Sequence, residues 1–443
     1  MNARRAVAGA VMAALTLAGT AGRAADSDTY IARGKDCVAM GAFADGEKEF
    51  RKAVELGGDQ PEALYGAGFC AFRQGKTKRA ATDFEQVLKS THSVPQYRGF
   101  HTLALLRLGE IKLSQRNFRE AIDIYAGGVN NEASNADFRY GLGTALRGLG
   151  RNEKALNSFE EALKINPSHA GALVGKAAIY YDLGNVPEAF DLLERAIKLD
   201  PQSALPYGVM GALYRDLKKP YEENLMIGQY YFYSGDLKRA IGRFRAALVV
   251  NETSQVHHAI GSVLLKDGQA AESVRHFERA LKLKVRPEDP ALAQLSMAYA
   301  KMGKLTEAKS LIAKAIRQNG RSAEYHGQNA WILLLAKDSM GAEKEARAAL
   351  KLDPENAGAY RYLGDSLNSR GLARDAVDAY EKCLARNPGL SDVYVNLGWA
   401  YEQLGDLVSA QRNYETFLRG GPPPDEAKSV KAHIDSLRKR SRK

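Results

Sequence analysis

Apolar residues recur along this chain at three- and four-residue intervals, in runs bounded by a glycine on one side and a proline on the other. The stretch LGNVPEAFDLLERAIKLDP, residues 183–201, reads as a helix end, a tight turn at Gly184, an amphipathic helix and a stop at Pro201. The same phrase stands at 149–167 and again at 370–388. Aligned on a Leu-Gly-x-x-Tyr phrase, the chain repeats with a period of 34 residues. Within each unit, positions 4, 7, 8 and 11 fall on one stripe of a first helix, and positions 20, 24, 27 and 28 on one stripe of a second. Small residues at 8, 20 and 27 let the two helices approach, and large ones at 7, 11 and 24 fill the seam. The turn near position 15 calls for a left-handed backbone, and Gly75, Gly150, Gly184, Gly235, Gly268, Gly303, Gly371 and Gly405 stand there. One helix pair cannot bury its seam alone, so the pattern predicts an all-α stack of pairs sharing a continuous core.

Tyr394, Leu397, Gly398, Tyr401, Ala410, Tyr414 and Pro422 occupy the characteristic slots of one unit, as do Tyr360, Leu363, Gly364, Ala376, Tyr380 and Pro388 of another. Leu142, Gly143, Ala155, Phe159, Ala162 and Pro167 repeat them upstream. This pattern resembles the tetratricopeptide repeat family over nearly the whole chain, which implies an α-solenoid of helix-turn-helix pairs. Units begin at 27, 61, 102, 136 and 170, then at 221, 254, 289, 323, 357 and 391, with seven extra residues at 95–101. One irregularity stands out. The glycines of Met210-Gly211 and Ile227-Gly228 are only 17 residues apart, half a period. Residues 204–218 therefore read as a capping helix without a partner, and Lys218 to Pro220 as a junction. The expected organisation is a leader at 1–24, an array with its cap at 25–219, a second array with its cap at 220–437, and a basic tail at 438–443. The alternative is one continuous solenoid carrying a distorted repeat.

Residues 1–24 run from Arg4 and Arg5 through an apolar stretch to Gly22-Arg23-Ala24, the layout of a secretory signal cleaved near Ala24. Leu17-Ala18-Gly19-Thr20 has Thr where a lipoprotein signal needs Cys, so the expected product is exported, periplasmic and without a lipid. The net charge of +11 shrinks to about +3 once the leader's three arginines and Arg438, Lys439, Arg440, Arg442 and Lys443 are set aside. That is too little for a surface that tracks nucleic-acid phosphates. The tail is expected to be disordered, with a weak attraction to anionic envelope surfaces. Cys37, Cys70 and Cys383 have no metal-ligand spacing; Cys37 and Cys70 lie at similar heights on neighbouring helices and leave a disulfide open, while Cys383 at a small slot predicts a buried thiol.

No nucleophile with a base, paired acid and base, metal cluster or phosphate loop emerges, so neither an enzyme nor a cofactor is expected. His257 and His258 are adjacent, hence on different sides of a helix, with no carboxylate or thiolate at ligand spacing. The resemblance implies instead a binding groove lined by positions 2, 5, 9, 12 and 13 of the first helices. The candidate lining residues are Tyr65, Phe69, Phe72, Phe232, Tyr233, Trp331, Arg361, Asp365, Asn396, Trp399 and Gln403. Members that clamp chaperone tails carry Lys at 5 and Asn at 9, whereas the first unit here has Ile31 and Lys35. The expectation is an exported scaffold that binds protein partners in an envelope assembly such as pilus, polysaccharide-export or motility machinery; the alternative is a module that stacks polysaccharide or peptidoglycan on the groove aromatics.

Overall fold

A computed structural model describes residues 24–57, 61–91 and 94–440. The expected leader lies outside the described residues except for Ala24. Among the described residues there are 24 α-helices, one three-residue 3-10 turn at Pro95–Tyr97 and no strand. None of these helices is long and apolar enough to cross a membrane.

Several helix starts are capped by a polar side chain. Asn356 accepts a bond from Ala359 N at 2.9 Å, and Asp406 accepts one from Ser409 N at 3.0 Å, satisfying amides that a first turn leaves unpaired. The glycine turns between consecutive helices are left-handed: all eight glycines named for them have φ between 73° and 89°. Where glycine is missing, Arg116, Lys218 and Lys337 take the same conformation at φ 58°, 55° and 60°. In seven units an aromatic ring of the second helix packs against a glycine of the first, whereas Ala177, Ser296 and Ala330 stand at that slot in the units beginning at 170, 289 and 323. A Cβ on Gly398 would stand 2.7 Å from Tyr414, and one on Gly364 2.5 Å from Tyr380. In those seven units the period carries a steric lock of ring on glycine.

The described residues form two compact units, 24–38 with 43–243, and 39–42 with 244–440. In the first, Tyr65, Phe84, Val87, Phe100 and Ile111 form one buried cluster and Leu173, Leu193, Met210 and Leu213 another. In the second, Leu292, Ile312, Tyr325 and Ile332 are followed by Leu367, Tyr380, Cys383, Val393 and Leu397. Within either unit successive first helices approach one another, and no comparable approach links successive second helices among the described residues. Each unit therefore curls toward its first-helix side.

Helix Ala204–Asp216, expected to stand without a partner, has one: it packs along Pro220–Ser234. Gly211 receives Ile227, whose Cδ1 would meet a Cβ at 2.4 Å, and Tyr207 stacks on Tyr233 with ring centroids 5.3 Å apart. Lys218 to Pro220 forms the turn within this pair, closed by Lys219 N donating to Tyr214 O at 2.9 Å. The half-period is a helix inserted into the alternation: Pro220–Ser234 serves as second helix to 204–216 although its sequence is of the first type.

Cys37, Cys70 and Cys383 are all buried free thiols. Cys37 and Cys70 flank Gly46, and burial pushes the Cys70 thiol up. The expected disorder of the tail is corrected over 438–440, where helix Pro424–Arg440 continues and Arg438 bonds Glu415 at 3.0 Å. Residues 441–443 lie outside the described residues.

Candidate protein-binding face

Five of the eleven groove residues come together in the second unit, on the adjacent first helices Ala357–Ser369 and Ser391–Gln403. One turn separates Arg361 from Asp365, so both project from the same stripe. The Arg361 guanidinium meets Asp392 at 2.5 Å and lies 3.8 Å from Asp365. Asp365 Oδ1 accepts two bonds, from Tyr380 OH at 2.8 Å and from Asn396 Nδ2 at 3.0 Å. Burial raises the Asp365 carboxyl above the ordinary carboxylate range, against the pull of Tyr380, Arg361 and Asn396. One turn further along, Gln403 Nε2 donates to Asn368 Oδ1 at 3.0 Å.

Trp399 closes this strip and is 52% exposed. One face of its indole stacks on His433 of helix Pro424–Arg440, with centroids 5.6 Å apart and planes 11° from parallel. His433 is held by Glu402 at 2.5 Å, and Glu402 also accepts from Tyr414 OH at 2.6 Å. The indole is therefore oriented from behind while much of its surface meets solvent, the arrangement of an aromatic anchor. The strip offers amide and guanidinium groups beside an aromatic platform, which suits an extended polypeptide or a sugar.

The remaining six residues sit elsewhere. Tyr65 and Phe69 are corrected from groove to core, at 0% and 3% exposure. Phe100, one of the seven extra residues and part of helix Arg98–Ser114, packs 6.0 Å from Tyr65, and Phe43 covers Phe69 at 6.2 Å. Phe72 is half-buried against the same cluster. Phe232 and Tyr233 are half-buried, Tyr233 against Tyr207 and Phe232 edge-on to Tyr233 at 5.1 Å. Trp331 packs against the cluster of Leu292, Ile312 and Ile332 and is not an open platform. Sequence reasoning missed Asp392, Tyr380, Glu402 and His433 as parts of the strip. Asp392 and Glu402 occupy positions 2 and 12 of their unit and were findable by slot; His433 lies beyond the last repeat, where the period gives no guide.

Among the described residues no group of three or more His, Cys, Asp or Glu side chains could hold a metal.

Tetratricopeptide repeat profiles match residues 31–98, 106–156, 140–204, 225–293 and 328–391, with further matches at 289–321 and 379–412. Similar sequences include the Protein CTR9 homolog of Arabidopsis thaliana, 22% identical over 86% of this chain and 34% of its own length. Another is the human Protein O-mannosyl-transferase TMTC1, 23% identical over 48% of this chain and 25% of its own. A third, the small glutamine-rich tetratricopeptide repeat-containing protein 2 of Mycosarcoma maydis, is 31% identical over 30% of this chain and 40% of its own. The chain thus spans between a quarter and two fifths of these relatives. Among solved structures, Cut9 with Hcn1 of an APC/C hetero-tetramer aligns over 94% of this chain at 11% identity and TM-score 0.49. Yeast Tom70 aligns over 94% at 15% identity and TM-score 0.40.

Proposed function

The chain belongs to the tetratricopeptide repeat family, whose repeats scaffold protein–protein interaction, and from that premise we propose that it is an exported, periplasmic, non-catalytic adaptor in a cell-envelope assembly. The observation that carries a binding role is the strip from Arg361 through Asp365 and Asn396 to the half-exposed Trp399. A partner segment lies along the first helices 357–369 and 391–403 and places an apolar side chain on the open indole face. Export rests on the leader-like stretch at 1–24, and a weak contact of the basic tail with anionic envelope surfaces would add to retention there. Crosslinking and affinity purification from the source organism test the reading, with wild type compared against a folded Trp399→Ala protein. Loss of the captured envelope proteins in the variant is expected, and unchanged capture removes the strip as the binding face. Detection of the full leader on protein isolated from the cell interior removes export.

The open indole also favours a second reading, a saccharide stacked on Trp399. Retention on isolated cell-wall material, lost in Trp399→Ala, selects it over a protein partner.

A further inference from the structure

The layer that carries the open indole of Trp399 has a charge opposite to that of the chain. Its three first helices, Ala323–Leu335, Ala357–Ser369 and Ser391–Gln403, hold four carboxylates, Glu324, Asp365, Asp392 and Glu402, and one Lys or Arg side chain, Arg361. The second helices paired with them, Ser339–Leu352, Ala373–Arg386 and Leu407–Arg419, hold more Lys and Arg than Asp and Glu. The chain as a whole is at +11. Acid is thus concentrated on one layer of the second unit, the one that presents the indole.

Helix energetics account for two of the four carboxylates. Glu324 and Asp392 stand in first turns, where the helix dipole favours an anion. Glu402 stands in the last turn of its helix, where the dipole opposes one, and Asp365 is held inside at the cost of its burial. Arg361 does not balance them: it reaches Asp392 through Oδ2 alone at 2.5 Å and stays 3.8 Å from Asp365. Asp392 is 51% exposed. Glu324, exposed at the matching end of its own helix, accepts the neutral amide of Gln328 at 3.1 Å. The same position of the helix between them is Gly358, which brings no side chain into the space. On helix Pro424–Arg440, Lys428, Lys431 and Lys439 lie roughly a third of a turn or more round from His433, off the indole, and Arg438 is bonded to Glu415.

We propose that the strip receives a basic segment of its protein partner, with an apolar residue on the open face of Trp399 and Lys or Arg side chains on Asp392 and Glu324. This chemistry rests on the strip being the binding face and specifies what that face selects. Asp392 precedes Trp399 by two helical turns, about 10 Å, so a cation about three residues from the apolar anchor of an extended segment spans the two. Each carboxylate lies at the rim, where it steers approach and rejects acidic segments more than it adds affinity. The positive charge of the whole chain opposes non-specific uptake of a basic segment, so such binding reports this layer.

Fluorescence polarisation of the full chain tests it with short labelled peptides built on a central leucine and flanked, about three residues away on each side, by lysine, glutamate or serine. At about 50 mM salt the lysine peptide should bind about tenfold more tightly than the glutamate peptide, and at about 500 mM that preference should vanish. Asp392→Asn combined with Glu324→Gln should cost the lysine peptide about fivefold and leave the serine peptide unchanged, the scale of two exposed ion pairs. Equal binding of all peptides, binding of none, a preference for glutamate, or a lysine preference untouched by the carboxylate substitutions overturns the basic-segment assignment. Trp399→Ala then separates the two levels: if it abolishes serine-peptide binding, the strip stands and only its charge selectivity fails, whereas if it changes no peptide's binding, the strip itself fails. Should the double variant fail to fold, salt decides, because a lysine preference that persists undiminished at about 500 mM overturns the assignment.

Discussion

Lys337 occupies a left-handed turn that most units of this protein give to glycine. An L side chain in that region costs roughly 1–2 kcal/mol from its Cβ, partly offset by the greater chain entropy that glycine loses on folding. Lys337→Gly should therefore raise stability by about 0.5–1 kcal/mol, readable as a higher denaturant midpoint with an unchanged slope. Asp365 poses a different residue-scale question. Its carboxyl is raised by burial, so the folded state holds its proton more tightly than the unfolded chain and the charged form is penalised at neutral pH. Both bonds it receives end on Oδ1, which an Asn amide oxygen can accept equally, and Arg361 keeps Asp392 as its partner. Asp365→Asn is thus expected to match or exceed wild-type stability at pH 7 and to lose that advantage as the pH falls toward about 4. A variant that is less stable at pH 7 than at pH 4, relative to wild type, would show that the Arg361 attraction outweighs burial. The glycine turns were legible in the sequence because φ > 0 selects residue type so strongly. Lys337 and Lys218 were not, because a lysine advertises no such constraint.

At the scale of the helix pair, the glycine that accepts a ring should be intolerant of any side chain. A Cβ at position 398 would lie 2.7 Å from the Tyr414 ring, which is itself fixed by its hydroxyl on Glu402. Gly398→Ala should lower stability by about 1–3 kcal/mol, the range for overpacking a filled core, even though alanine is the better helix former. Its neighbour Trp399 should behave oppositely. Half exposed and stacked on His433, it leaves little cavity on truncation, so Trp399→Ala should cost less stability than Gly398→Ala in the same thermal melts. The periodic pattern made the ring-on-glycine contact readable, since both partners sit at fixed slots. It could not separate Trp331 from Trp399, which share a slot. What distinguishes them is the neighbour each meets: the cluster around Leu292 and Ile312 for Trp331, and His433 beyond the last repeat for Trp399. The same limit explains Tyr65 and Phe69, placed on the lining by slot and buried by aromatic neighbours, Phe100 and Phe43, that the period does not specify.

At the scale of the chain, the 17-residue spacing of Gly211 and Gly228 marked where the alternation slips, but not how. Helix Ala204–Asp216 pairs with Pro220–Ser234 through a closed turn at Lys218, and the two compact units part later, between Arg243 and Phe244. That boundary falls inside helix Leu237–Val250, whose end leaves Val249 88% exposed ahead of the connection Asn251 to Thr253. Proteolysis of a folded chain requires local opening of several residues, and opening is cheapest where few packed neighbours are lost. A turn locked between two packed helices is a poor substrate even though its lysines are exposed; helix Leu237–Val250 also buries Ala240, Phe244 and Ala247, and what favours a cut there is that the boundary of the two compact units falls within it. Limited trypsin digestion should therefore cut first among Lys238, Arg239, Arg243 and Arg245, giving two fragments that persist and whose ends are identified by mass spectrometry. A first cut at Lys218 or Lys219 would instead place the division at the half-period itself and restore residues 204–218 as the cap of a first array, while a single resistant core would favour one continuous solenoid.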